Sequence, residues 1–265
     1  MTGIESPSAI TPSSRAESEG EAGAIPPHVS VVVPVLNEAD NIQPLIDEIV
    51  TALEGKAAYE IVFVDDGSTD ATAERLRDAE RQAPRLRVVR HPARAGQSAA
   101  IVSGVKAARG EIIVTLDGDG QNDPADIAKL LDVIRNDPDP LHLLVTGQRT
   151  KRRDTWVKRV SSRLANGVRS RLLNDATPDT GCGLKAFMRE AFLDMPRFDH
   201  MHRFLPALMV RQAGRVVSVP VHHRPRQRGR SNYGTLDRLW VGVVDLAGVM
   251  WLQRRARLMA VKPDR

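Results

Sequence analysis

Val29-Ser-Val-Val-Val-Pro-Val-Leu-Asn-Glu38 is the stretch on which the fold is read. Val29–Val35 is an apolar, mostly β-branched run without regular polar alternation, which signals a strand covered on both faces. Similar runs return at Tyr59–Val64, Leu86–Val89, Ile112–Leu116 and Leu143–Val145. Between them lie segments with helical character. Glu38–Leu53 puts Ile42, Leu45, Ile46, Ile49 and Leu53 on one face, and Ala71–Ala83, Gln97–Ala108 and Pro124–Arg135 follow. Strand–helix alternation at this spacing predicts an α/β fold, a mostly parallel, doubly wound sheet with helices on both faces.

Ligands of such sheets bind beyond the carboxyl ends of the strands. Those ends read Pro34-Val-Leu-Asn37-Glu38, Asp65-Asp66-Gly67-Ser68 and Asp117-Gly118-Asp119-Gly120-Gln121, so the acid-rich turns share one edge. Carboxylates crowded there repel one another, and a divalent cation with oxygen ligands, Mg²⁺ or Mn²⁺, relieves the repulsion. Asp117 and Asp119 project the same way from an extended segment, and Gly118 and Gly120 leave room for a diphosphate. Asp-Gly pairs are also ordinary turn formers, and Asp66–Asp70 is suited to capping the next helix. The coincidence of both motifs on one edge favours a site.

Composition sets the outer bounds. The chain has 265 residues, 42% of them apolar, with a formal charge of +5 and a pI near 9.7. That is enough to bury a sizeable core. Residues 1–28 are rich in Ser, Pro, Ala and Glu and read as a disordered tail, ahead of a catalytic domain at 29–235 and a basic amphipathic segment at 236–265. Cys182 is the single cysteine, so no internal disulfide is expected. No secretory signal is recognisable, and the longest apolar run, Trp240–Leu252, contains Asp245 and falls short of the roughly 20 residues that cross a bilayer.

The ordered set Val31-Val-Val-Pro34…Asn37-Glu38, Asp65-Asp66-Gly-Ser-Thr-Asp70 and Asp117-Gly-Asp119-Gly-Gln121-Asn-Asp-Pro124 resembles family-2 glycosyltransferases of the GT-A fold. Within them it is most similar to the dolichol-phosphate mannose synthase and bacterial polyprenyl-phosphate glycosyltransferase branch. The resemblance implies that Pro34, Asn37, Glu38 and Asp66 contact the nucleoside, with Asp65 and Gly118 in the same nucleotide-sugar site. It implies that Asp117 lies by the ribose and diphosphate and that Asp119 and Gln121 hold the metal. Arg149 stands where the family has an acceptor-phosphate ligand, so Asp117, Asp119 and Arg149 are the expected catalytic set. Asp179-Thr-Gly181-Cys-Gly183-Leu-Lys185 matches a further segment on the acceptor side. This chain has Asp-Gly-Asp where Asp-Ala-Asp is common, and it lacks the Gln-x-x-Arg-Trp signature of processive synthases, which favours single transfers.

Two basic clusters follow. Between Arg149 and Arg171, Trp156, Val160, Leu164, Val168 and Leu172 recur every four residues as an amphipathic helix carrying Lys158, Arg159, Arg163 and Arg169. Arg224-Pro-Arg226-Gln-Arg228-Gly-Arg230-Ser-Asn232-Tyr233 gathers arginines on a Pro/Gly loop, which calls for an anion. The family places such a loop at the donor diphosphate and acceptor phosphate, with a lysine where this chain has Asn232. Arg149, Arg159, Arg224, Arg226 and Arg230 are the expected phosphate ligands. Nucleic acid is not an expected partner, because aromatics are only 4% of the chain and a strand-edge diphosphate site serves no base readout. Cys182 reads as a packing residue, and His200-Met-His202 as loop surface rather than a metal pair.

From Leu236 onward, Leu239, Trp240, Val243, Ala247, Met250 and Trp251 share a helical face, followed by Arg254, Arg255, Arg257 and Lys262. That pattern suits a helix lying in a membrane interface, or a terminal helix packed on the core or on a second subunit. The expected reaction moves one sugar, with inversion, from a UDP- or GDP-linked donor to a polyprenyl phosphate at the cytoplasmic membrane face. Two other readings stay open: a soluble transferase acting on a hydroxyl acceptor, and a non-catalytic adaptor. A homo-oligomer or a membrane-protein partner is compatible with either.

Overall fold

The computed structural model describes residues 28–149, 169–175, 177–225 and 237–256, with side chains from 242 onward in the last segment. Strands β1 (Val29–Val35), β2 (Tyr59–Asp65), β3 (Leu86–Arg90), β4 (Ile112–Thr115), β5 (Leu143–Arg149), β6 (Lys185–Met188) and β7 (Arg215–Val221) form one seven-stranded sheet. Their order is β3-β2-β1-β4-β6-β5-β7. Only β6 runs antiparallel to its neighbours, β4 and β5.

Alternate residues of the strands serve two cores. Val29, Val31, Val33, Ile61 and Phe63 face helices α1 (Ile42–Leu53), α2 (Thr72–Gln82) and α4 (Ile127–Arg135). Val32, Val62, Val64 and Ile113 face α3 (Gln97–Ala107), α5 (Arg189–Leu193) and α6 (Leu205–Arg211). Helices therefore cover both sheet faces. The expected strands and helices agree with the observed ones to within a few residues, but β6, α5 and β7 were not expected. Phe187 of β6 is buried and stacks on Phe192 of α5 at 5.1 Å.

The switch of direction at β1 positions the site. The β1/β4 ladder stops at Val32–Thr115, whereas β1/β2 continues to Val35–Asp65. Beyond Val32, β4 diverges and a crevice opens. Pro34 lies on the side of β1 where β4 has departed, so its missing N–H costs no ladder bond there.

Helix α7 (Asp237–Arg254) packs on α6 through Val249, which is buried with Leu173, Phe204 and Ala207. Gln253 donates to the carbonyls of Leu173 and Ala207, at 2.9 and 3.2 Å. The single apolar face expected of this helix is in fact divided. Leu246 and Met250 turn inward with Val249, while Val243, Val244 and Trp251 stay exposed ahead of Arg254 and Arg255. No described helix is long and apolar enough to cross a membrane. The expected tail and most of the helix at 156–172 lie outside the described residues.

Phe187→Ala removes the ring that β6 contributes to the second core, and a urea titration is expected to show a loss of about 3–5 kcal/mol. A loss under about 1 kcal/mol would contradict this account of the core.

Candidate active site

Beyond the carboxyl ends of β1, β2 and β4 lies a cleft of about 340 Å³. Pro34, Val35, Leu36, Glu38 and Asp66 wall one part of it, Asp117, Gly118 and Asp119 the middle, and Thr180–Gly183, Lys185, His202 and Arg203 the far part. Two turns distant in sequence thus bring Asp66 and Asp119 to one cavity.

Hydrogen bonds between loops fix the first wall. The Asp66 carboxylate accepts from the N–H groups of Ala95 and Gly96, both at 2.8 Å, and His91 Nδ1 lies 2.8 Å from it. Asp66 therefore shapes the rim by folding the segment after β3 around itself. Asn37, at φ 57°, accepts the Thr69 N–H on its side-chain oxygen at 2.8 Å, while its own N–H goes to Ser68 Oγ. The Glu38 N–H reaches Thr72 Oγ1, and the Glu38 carboxylate accepts from the Asn41 amide at 2.6 Å. Asp65 does not line the cleft. Its carboxylate is fully buried, accepts the Ser68 N–H at 2.8 Å and lies 3.3 Å from Arg90. Asn37 and Asp65 hold the turn that carries Asp66, and neither is part of the cleft lining.

Asp117 sits at the centre. Burial, then the charge of Asp119, push its pKa up to about 6, against the pull of Lys185, Arg149 and the Gln97 hydrogen bond. Gln97 Nε2 donates to Asp117 at 2.9 Å from the start of α3. The carboxylate lies so close to Gly183 that a Cβ there would fall 2.1 Å from it, so this position admits no side chain. At Gly118 a Cβ would stand 2.4 Å from Val35 Cγ1, so the glycine also lets β1 pack close to this turn. Lys185 is buried beside Asp117, its Nζ donating to the Cys182 carbonyl, and burial pulls its pKa down against the opposing carboxylates.

These residues suit a hard divalent cation. The raised pKa of Asp117 records burial first and the Asp119 charge second, a strain on the ionised pair that a cation would relieve, and Mg²⁺ takes one or two protein carboxylates and completes its shell with water and phosphate oxygens. Gln121 donates its N–H to Asp119 Oδ1 at 3.1 Å, which sets it beside that carboxylate. Its Nε2 is directed at the Arg224 carbonyl, 3.5 Å away, leaving the side-chain oxygen as the donor atom for a metal. Among the described residues there is no group of three His, Cys, Asp or Glu side chains able to hold a metal by themselves.

The expected phosphate ligands fare differently. Arg149 is bidentate on Asp179, with Nε at 2.7 Å and Nη2 at 2.6 Å, and is not part of the cleft lining. Burial works against its charge, but Asp179 more than compensates and holds its pKa above the ordinary value. Arg224 places Nη1 2.9 and 2.8 Å from the Glu48 carboxylate and Nη2 2.8 Å from Asp123, on the far side of Asp119 from the cleft. Both arginines are clamps, because each meets a carboxylate of its own fold. Arg159, Arg226 and Arg230 lie outside the described residues. Among the described residues, the cations that line the cleft are Lys185 and Arg203. Of the two, Lys185 stood in a quoted motif, whereas Arg203 had no signal beyond its charge.

The histidines separate. His200 Nδ1 is 3.0 Å from Asp245 of α7, whereas His202 Nδ1 is 2.8 Å from Ser98 Oγ of α3. The two rings turn to different partners, and His202 lines the cleft instead of the loop surface expected. Cys182 is buried and burial pushes its thiol pKa up, consistent with packing.

Comparison with known proteins agrees with this architecture. The chain is 36% identical over 210 residues to an undecaprenyl-phosphate 4-deoxy-4-formamido-L-arabinose transferase of Edwardsiella ictaluri, covering 78% of this chain and 63% of that protein. It is 34% identical over 230 residues to a dodecaprenyl-phosphate galacturonate synthase of Rhizobium johnstonii, covering 85% and 67%. The chain thus spans about two thirds of the length of these relatives. Glucosyl-3-phosphoglycerate synthase of Mycobacterium tuberculosis, crystallised with Mg²⁺ and UDP, superposes with a TM-score of 0.63 at 21% identity, covering 88% of this chain and 81% of that one, and shares its GT-A fold. Residues 30–195 match the model of glycosyl transferase family 2, and with the relatives at this identity the chain belongs to that family.

Proposed function

We propose that the protein transfers a single sugar, with inversion, from a UDP- or GDP-linked donor to a polyprenyl phosphate at the cytoplasmic face of a membrane. The observation that carries the reading is the convergence of Asp66, Asp117 and Asp119 with Lys185 in one cleft at the switch point of the sheet. The names of the relatives favour a polyprenyl phosphate over a hydroxyl acceptor. The geometry agrees, because such a phosphate is already anionic and needs orientation more than deprotonation. A cleft this fully equipped also argues against a silent adaptor.

In this reading Pro34, Glu38 and Asp66 line the nucleoside end, and Asp119 with Gln121 holds Mg²⁺ or Mn²⁺. The cation, when bound, supplies positive charge to the departing diphosphate. A phosphate oxygen of the acceptor forms a bond to the anomeric carbon while the bond to the diphosphate oxygen breaks, and that oxygen keeps the electron pair. Lys185 and Arg203 offset charge along this line. Arg149 serves by holding Asp179 and by its field at Asp117, rather than as a free phosphate ligand.

The exposed Val243, Val244 and Trp251, followed by Arg254 and Arg255, suit an interfacial membrane contact. Each cation near an anionic leaflet adds on the order of 1 kcal/mol, so the apolar strip contributes as much as the charges. A polyprenyl phosphate resides in that leaflet, which makes a peripheral attachment the natural complement of the cleft.

Three measurements test the proposal. Asp119→Ala is expected to lower metal-dependent transfer by at least about 100-fold with UDP- or GDP-sugars and a short polyprenyl phosphate; undiminished turnover would end the proposal. Asp117 keeps its proton to about pH 6 when folded against an ordinary 3.8, so in chelator the wild-type stability is expected to fall as pH rises through that window. Asp117→Asn removes this penalty and should stabilise the chain by roughly 1–3 kcal/mol above pH 6 and not below pH 4, and a variant no more stable at pH 7 would refute the account of a buried, crowded carboxylate. Trp251→Glu is expected to weaken co-sedimentation with anionic vesicles about tenfold, leaving transfer to a water-soluble acceptor intact. Unaltered vesicle binding would assign the face another role.

A further inference from the structure

His202 occupies the cleft without a task in the reaction just described. It stands on the turn Met201–Arg203, between α3 and the cleft. Ser98 Oγ accepts the backbone N–H of His202 at 3.3 Å and lies 2.8 Å from its Nδ1. The Ser98 hydroxyl is buried and has no other partner among the described residues, so the arrangement that leaves no buried hydroxyl proton unpaired donates it to Nδ1. Nδ1 is therefore the acceptor, and the remaining proton of the neutral ring sits on Nε2.

That Nε2–H has no protein partner among the described residues, nor is it one of the fully buried polar atoms left unbonded. His202 is part of the cleft lining, so a ligand in the cleft is the partner this donor can take. The ring also walls, with Gln97, Asp117 and Lys185, a recess of about 20 Å³ behind the carboxylates. Burial, helped by the charges of Arg203, Lys185 and His200, pulls its pKa down to about 3, so the ring stays neutral at every working pH. A group so held cannot serve as a general base through Nε2, and an anionic oxygen gains more from Lys185 or Arg203 than from an uncharged N–H.

We infer that His202 is a specificity-determining residue, donating its Nε2–H to an uncharged hydroxyl oxygen of the transferred sugar in the part of the cleft beyond Asp117. The inference rests on the glycosyltransferase reading and deepens it. A fixed neutral donor selects by the position of a hydroxyl, because a sugar lacking an oxygen there leaves the polar group unpaired.

The test measures binding of UDP, GDP, UDP-glucose, UDP-galacturonate and GDP-mannose to the full chain by calorimetry, with histidine ¹⁵N NMR alongside. In the wild type, His202 should show a protonated Nε2 and an unprotonated Nδ1, and the Nε2 signal should move with the preferred sugar nucleotide but not with its free nucleoside diphosphate. His202→Ala should lose about five- to tenfold of the affinity that the sugar adds, with affinity for the free nucleotide unchanged. His202→Gln, which offers an amide donor at similar reach, should keep most of it. Thermal melting checks that each variant folds. A protonated Nδ1, an unmoved Nε2 signal, or equal losses for nucleotide and sugar nucleotide would overturn the inference alone. Failure of the wild type to bind any nucleotide or donor would overturn the transferase reading, and this inference with it.

Discussion

The burial of Asp117 beside a second carboxylate, Asp119, at the end of β4 is the constraint around which the cleft is arranged. Asp117 and Asp119 are two residues apart, Asp119 in the turn that follows β4, and burial denies Asp117 the screening that water would give. The fold answers with Lys185 from the antiparallel strand β6, with Arg149 behind it and with the Gln97 amide from α3. Gly183 lets the β6 side approach the carboxylate directly. That answer is partial, since the carboxyl still titrates near 6. Incomplete neutralisation is what a site needs if it is to take up a cation together with a diphosphate, and a fully paired Asp117 would have no affinity left to offer.

The parallel half of the sheet was legible because its strands are covered on both faces and read as unbroken apolar runs. Val29–Val35 was bounded correctly for that reason. The turns that follow β1, β2 and β4 were legible for another, since acid and glycine side by side at a strand end carry their own signal. What escaped lies beyond β5. Lys185-Ala-Phe-Met188 is four residues long and opens on a charged group, so no periodicity marks it as a strand. β7 is a sheet edge interrupted by Pro220, acceptable only because an edge strand can do without one N–H. His202 was misread as loop surface because its burial depends on packing against α3, a contact between residues 104 apart in sequence.

The arginines carry a related lesson. A cluster of basic residues suggests an anionic ligand only while their partners are unknown. Arg149 and Arg224 turned out to be matched by Asp179 and by Glu48 and Asp123, all distant in sequence. Such bidentate pairs suit the planar guanidinium, whereas the buried cation beside Asp117 is a lysine, whose compact ammonium can bond backbone carbonyls from within a narrow space. Arg149 and Arg224 hold segments together here, whereas Lys185 and Arg203 bring charge to the cleft.

One short turn joins the two surfaces that the proposed reaction requires. His200 bonds Asp245 on α7, Met201 is buried in the core over α3, His202 bonds Ser98 on α3, and Arg203 lines the cleft. The helix that would rest on lipid and the wall that would meet the sugar are therefore anchored within four consecutive residues. His200 holds this turn in a left-handed conformation, φ 62°, so the chain reverses sharply between its two attachments. A lipid acceptor must reach from the bilayer to the anomeric carbon, and the distance it spans is set by how rigidly these two surfaces are fixed to each other. Direct side-chain bonds from one turn to α7 and to α3 fix that relation through the core, with no long loop in between.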